Sequence, residues 1–161
     1  MVVGKHTKEN VFGHIALAIN GTVFSFGTNW TKGANKDWGA SLKKYLDAQA
    51  SLRETEILTL GISPELEQEL LEDLRANNPY SKDYDVVTHS CVTVCSKALG
   101  ALGLLKARIF TNAKGEETVW EALTPAELAE RVRDAGLVTD SDVVGSEATS
   151  WWRSLLNTIV P

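Results

Sequence analysis

Between Gly13 and Gly27 two apolar, β-prone runs, His14-Ile15-Ala16-Leu17-Ala18-Ile19 and Thr22-Val23-Phe24-Ser25-Phe26, flank Asn20-Gly21. Asn-Gly readily adopts the positive φ angles of a two-residue hairpin turn, so the pattern predicts two antiparallel strands. That turn sets the register: Ile19 opposes Thr22 and Leu17 opposes Phe24, which puts positions 14, 16 and 18 on one face with 23, 25 and 27. His14 and Ser25 become diagonal neighbours on that face.

Further along, residues 28 to 50 read as a loop entering a short helix around Leu42, Tyr45 and Leu46. Glu56 to Ile62 reads as a buried strand, and Ser63-Pro64 opens a helix with Ser as N-cap and Pro at the first helical position. Leu66, Leu70, Leu71 and Leu74 form its apolar stripe, while Glu65, Glu67, Glu69, Glu72 and Asp73 make a solvated face rather than a metal site. Asn77-Asn78-Pro79 stops it. Asp85-Val86-Val87-Thr88 leads into His89-Ser90-Cys91, and the small-residue stretch from Val92 to Gly103 continues as a buried helix. Arg108-Ile109-Phe110 and Thr118-Val119-Trp120, on either side of Lys114-Gly115, predict a second hairpin. Thr124-Pro125-Ala126-Glu127 is a capping box that opens a helix through Ala135, ended by Gly136. Trp151, Trp152, Leu155, Leu156 and Ile159 have the spacing of a docking helix. The expected fold class is α+β, a small antiparallel sheet packed against helices.

The 161 residues fit a single domain over 1–161, with the motif-bearing core at about 11–103 and a helical C-terminal part at about 124–161. Two cysteines are too few for a disulfide framework, and a hydrophobic share of 43% makes one unnecessary. The net charge of −5 argues against nucleic acid, whose binding needs clustered cations. No apolar run approaches the roughly 18 to 20 residues of a membrane span, and Met-Val-Val-Gly-Lys-His is no signal peptide. If the protein is secreted, its signal is expected elsewhere, on a longer parent chain or a delivery machine. No His/Cys set has zinc spacing and no glycine loop has a phosphate-binding pattern, so neither metal nor cofactor is expected.

A helix N-terminus and a nearby imidazole both favour a thiolate, and Cys91 at its loop-to-helix junction has both. Cys95, one turn deeper, reads as a packing residue. Of the three histidines, His6 lies in a polar N-terminal stretch, His89 sits two residues before Cys91, and His14 opens a strand directly after Gly13. Strand placement gives a general base rigidity, so His14 is the expected base and Ser25 the group that orients its ring. The backbone or ring of His89 could help bind an oxyanion. Trp30 and Trp38 are placed either along the substrate cleft or in the core.

A strand histidine in a Gly-His-x-x-Leu hairpin, a following strand, a Ser-Pro helix and then Tyr-Asp-Val-Val-Thr-His-Ser-Cys opening a helix resemble the circularly permuted papain-like hydrolases over about residues 11 to 103. These include NlpC-like amidases, PPPDE peptidases, the lecithin:retinol acyltransferase group and papain-like toxin domains of secreted bacterial effectors. The resemblance implies that His14 and Cys91 are base and nucleophile of a dyad or triad. The second histidine of the acyltransferase group falls on Ser25, while Ser90 and Val94 stand where several relatives carry Asn and an aromatic residue. Ser90 is thereby the oxyanion-side position, with His89 and Trp30 as neighbouring substrate-binding candidates. The implied activity is that of a cysteine peptidase or amidase working through a thioacyl-enzyme, as the toxic domain of a bacterial secretion-system effector such as type VI. It would be delivered into a target cell, act on a peptidoglycan stem or a cell protein, and be covered by an immunity protein. Two alternatives accompany it: a lipid-directed thioesterase or acyltransferase with an apolar tunnel, and a catalytically silent papain-like binding module.

Overall fold

The computed structural model describes residues 1–8, 10–27, 37–81, 83–86, 88–106, 108–111, 114–115, 117–120, 122 and 124–145, with the backbone alone at 81, 108–111 and 117–120. Six strands, β1 (Val2–Gly4), β2 (His14–Ile19), β3 (Thr22–Phe24), β4 (Trp38–Ser41), β5 (Thr55–Leu60) and β8 (Val138–Val144), form one sheet in the order β4-β3-β2-β1-β5-β8. Every pairing in it is antiparallel. The strands β6 (Arg108–Thr111) and β7 (Glu117–Trp120) pair separately as the second expected hairpin. Four helices, α1 (Leu42–Ala50), α2 (Pro64–Ala76), α3 (Cys91–Ala101) and α4 (Pro125–Asp134), complete an α+β fold among the described residues.

The first hairpin has the expected register, Leu17 opposite Phe24 and Ile19 opposite Thr22. Asn20 and Gly21, at φ 49° and 73°, carry its turn. The two Ser/Thr-Pro helix starts also appear where the sequence puts them: Ser63 Oγ accepts from Leu66 N and Thr124 Oγ1 from Glu127 N.

Alternation along the strands separates two apolar layers. Ile15, Leu17, Ile19 and Phe24 face α2, α3 and α4, contributing to a core with Leu58, Leu70, Leu99 and Leu128. Val2, Ala16 and Val23 face α1, packing with Tyr45, Leu46 and Val144. His14 follows the register of Ala16 into the α1 layer.

Three strands differ from the sequence reading. Residues 2–4 form β1, a central strand set by pairing with β2 on one side and β5 on the other. Residues 38–41, expected in a loop, form β4 against β3. Residues 138–144, counted with a helical C-terminal part, form β8 at the sheet edge, where Val138, Thr139, Val143 and Val144 at its two ends suit a ladder, Asp140 and Ser141 between them are exposed and Asp142 is half-buried. On that edge Asp140 Oδ1 accepts from Ser141 N at 2.9 Å and Asp142 Oδ1 from Val143 N at 2.7 Å. The tail with Trp151, Trp152, Leu155, Leu156 and Ile159 lies outside the described residues. No described helix is long and apolar enough to cross a membrane.

Candidate functional site

Hairpin arithmetic places His14 beside Ser25, and the side chains meet: Nε2 lies 2.8 Å from Ser25 Oγ. Both residues are buried. Ser25 in turn donates to Tyr45 Oη on α1 at 3.5 Å. When the serine hydrogen is directed at Tyr45, Oγ accepts the proton on Nε2 and Nδ1 is the unprotonated nitrogen, the tautomer that base chemistry at Nδ1 needs. A bare ring nitrogen is what a general base requires. Burial, aided by the nearby Arg53 charge, lowers the His14 pKa to about 3, so the ring is neutral at ordinary pH. Arg53 is itself 4% exposed, with Nη1 donating to Lys5 O at 3.3 Å.

Cys91 is the first residue of α3. Ser90 is its N-cap in a reciprocal capping box, Ser90 Oγ accepting from Thr93 N and Thr93 Oγ1 from Ser90 N. The sulfur therefore sits at the open end of a helix, where the first N–H groups have no intrahelical partner. Backbone N–H groups of Val92 and Cys91 face it, as does that of Ile15 across on β2. The last contact has a topological cause. Continued register would pair Ile15 with Phe26, but β3 stops at Phe24 and Ser25 N turns to Asp37 O at 2.8 Å. The Tyr84 hydroxyl donates to Cys91 Sγ at 3.8 Å.

These donors favour a thiolate, yet burial outweighs them and pushes the Cys91 thiol up; the residue is 4% exposed. The sequence expectation of an activated thiolate is corrected on this point: helix end and donors are present, but so is desolvation. Cys95 is buried too and its thiol is likewise raised by burial, in keeping with a packing role. Cys91 reaches β2 from the α3 side while His14 lies on the α1 side, and among the described residues no hydrogen bond joins them. The sulfur rests at the peptide of the next residue, Ile15.

The ring of His89 is turned to structure. Its Nε2 donates to Pro79 O at 3.0 Å and its centroid lies 4.8 Å from that of Phe26. The Ser90 hydroxyl is engaged by the cap, and Trp30 lies outside the described residues. Trp38 packs edge-on to Phe24 at 5.3 Å and donates Nε1 to Leu74 O at 3.0 Å, a core position. Sequence reasoning missed Tyr45, Arg53, Tyr80 and Tyr84; lone aromatic and cationic residues on separate elements leave no spacing signal. An apolar cavity of about 600 Å³ lies between β2 and β5, but its lining, which includes Leu17, Ile19, Leu58 and Leu60, contains neither Cys91 nor His14. No protein-family model, curated protein or solved structure matches this chain.

Proposed function

We propose that the chain is a cysteine-dependent hydrolase of the peptidase or amidase type. The observation that carries this reading is Cys91 Sγ at the N-terminal mouth of α3, ringed by backbone N–H groups and one residue along β2 from a neutral His14 held through Nε2 by Ser25. Among the described residues Sγ and the His14 ring lie on opposite sides of β2, so this reading requires substrate binding to bring Nδ1 within hydrogen-bond reach of the thiol. His14 Nδ1 takes the thiol proton as Sγ attacks the carbonyl carbon, and the carbonyl oxygen becomes an oxyanion held by N–H groups at the helix end. Collapse breaks the C–N bond, with His14 returning the proton to the leaving amine. Water then attacks the thioester, His14 taking its proton, and the thiol is regenerated as the C–S bond breaks. The resemblance to permuted papain-like hydrolases adds the context of a toxic effector domain with a cognate immunity protein.

p-Nitrophenyl acetate tests the chemistry without a known substrate. We expect a burst of nitrophenol with acetyl on the Cys91 peptide, absent in Cys91→Ala and about 100-fold slower in His14→Gln. A Cys91 that stays unmodified in the folded wild type would sink the reading. The second reading, a catalytically silent binding module, is favoured by the raised thiol and the lack of a direct His14–Cys91 hydrogen bond, and that outcome would select it.

A further inference from the structure

Residues 25–27 leave the hairpin ladder, yet Ser25 must hold its hydroxyl at His14. The register of β3 against β4 shifts between Val23 and Phe24, so the strand pairing ends where the site begins. A side chain more than fifty positions away takes over. Tyr80 Oη donates to Ser25 O at 2.9 Å and accepts from Gly27 N at 3.4 Å, so one hydroxyl binds both a carbonyl and an amide across the released segment. Its ring stands edge-on to Phe26, between the two bonded residues, with centroids 5.0 Å apart.

The same turn, Pro79–Ser81, holds the other half of the site. The Pro79 carbonyl accepts from His89 Nε2 at 3.0 Å. His89 is fixed on its backbone as well, its N–H donating to Asp85 O at 3.0 Å and its carbonyl accepting from Asp85 N at 2.9 Å. Cys91 follows two residues on. Phe26 meets Tyr80, Tyr84 and His89 at 5.0, 5.2 and 4.8 Å, filling the space between these contacts. Neither the hairpin nor the Cys91 loop can move against the turn without breaking one of them.

We propose that Tyr80 is a positioning residue that locks Ser25, and through it the His14 ring, in one frame with the entry to the Cys91 helix. The proposal rests on the hydrolase reading for its catalytic meaning, but its physical content is a property of the resting protein. Tyr80→Phe removes the hydroxyl and keeps the ring, and nitrogen NMR of the His14 imidazole reads the result. In the wild type the ring shows a single tautomer protonated at Nε2. In Tyr80→Phe that proton exchanges about tenfold faster and the two nitrogen shifts move toward each other as tautomers mix. His89→Phe, which cuts the bond to Pro79 while keeping an aromatic ring against Phe26, moves the His14 signals in the same direction. It also serves as the test if Tyr80→Phe does not fold.

A merely structural Tyr80 would lower the melting temperature and leave the His14 shifts of the folded fraction unchanged, which overturns the proposal. If p-nitrophenyl acetate is turned over, Tyr80→Phe lowers kcat about tenfold with KM nearly constant. Turnover with both the ring signals and kcat unaffected overturns the positioning role while leaving the hydrolase reading intact. Altered ring signals without any turnover do the reverse.

Discussion

His14 links acid sensitivity to the site. Its pKa falls from 6.5 in the unfolded chain to about 3 in the fold, so below pH 6.5 the unfolded chain binds a proton that the folded one does not. Its contribution to stability is complete above pH 6.5 and is lost as pH falls toward 3. Between pH 7 and pH 5 the loss comes to about 2 kcal/mol from this residue alone. Urea unfolding at the two pH values should show that difference shrinking by about this amount in His14→Gln. The same shift predicts the acid limb of a kcat/KM profile near pH 3, where an ordinary imidazole would put it near 6.5. Ser90 offers a separate check. As the N-cap of α3, its replacement in Ser90→Ala costs about 1 kcal/mol, and Ser90→Gly only a few tenths. Acetylation of Cys91 should keep its pH dependence in both variants, since backbone groups and not the serine hydroxyl face the sulfur.

At the scale of elements, what could be read in the sequence was what short-range chemistry dictates. Asn20-Gly21 forces a turn, the turn forces the register, and the register puts Ser25 at His14. Ser63-Pro64 and Thr124-Pro125 announce helices because cap and fixed φ act within one turn. The strands β1 and β4, with three and four residues, are too short to carry a period and exist because neighbours pair with them. In β8 the polar residues that suit an edge hide the strand from a search for apolar runs. The candidate site divides the same way. His14, Ser25 and Cys91 stand at element boundaries that local signals mark, whereas Tyr45 and Tyr80 arrive by long-range packing. Burial was the other hidden quantity. A helix end is visible in a sequence, but the depth at which it is packed is not, and depth decides the direction in which the Cys91 thiol moves.

Across the molecule, two glycines hold distant segments in contact. Gly13 has φ 77°, and a β-carbon there would stand 2.5 Å from Gly4 O, the partner of His14 across the β1–β2 ladder. Gly145, at φ 105°, would place one 2.3 Å from Arg53 O, where the end of β8 meets the segment after α1. In both cases the obstacle is backbone, which cannot swing aside. Gly13→Ala and Gly145→Ala should each cost at least about 2 kcal/mol, a fall in melting temperature of roughly 4–8 °C at this chain length. Scanning calorimetry measures it directly. Gly39, with nothing within 4 Å of its would-be β-carbon, is a control for positive φ without the clash and should lose less when changed to alanine.

The carboxylates of β8 have a consequence for how these molecules behave in company. Asp140 and Asp142 cover the N–H groups of the residues that follow them, so the sheet ends in occupied donors and negative charge. An uncovered edge is a template on which a second chain can add its own strand. Changing both aspartates to alanine would free those donors and remove the repulsion, and concentrated solutions should then scatter more light and lose monomer with time. Two side chains folded back on their own strand are thereby expected to keep one copy from growing onto the next.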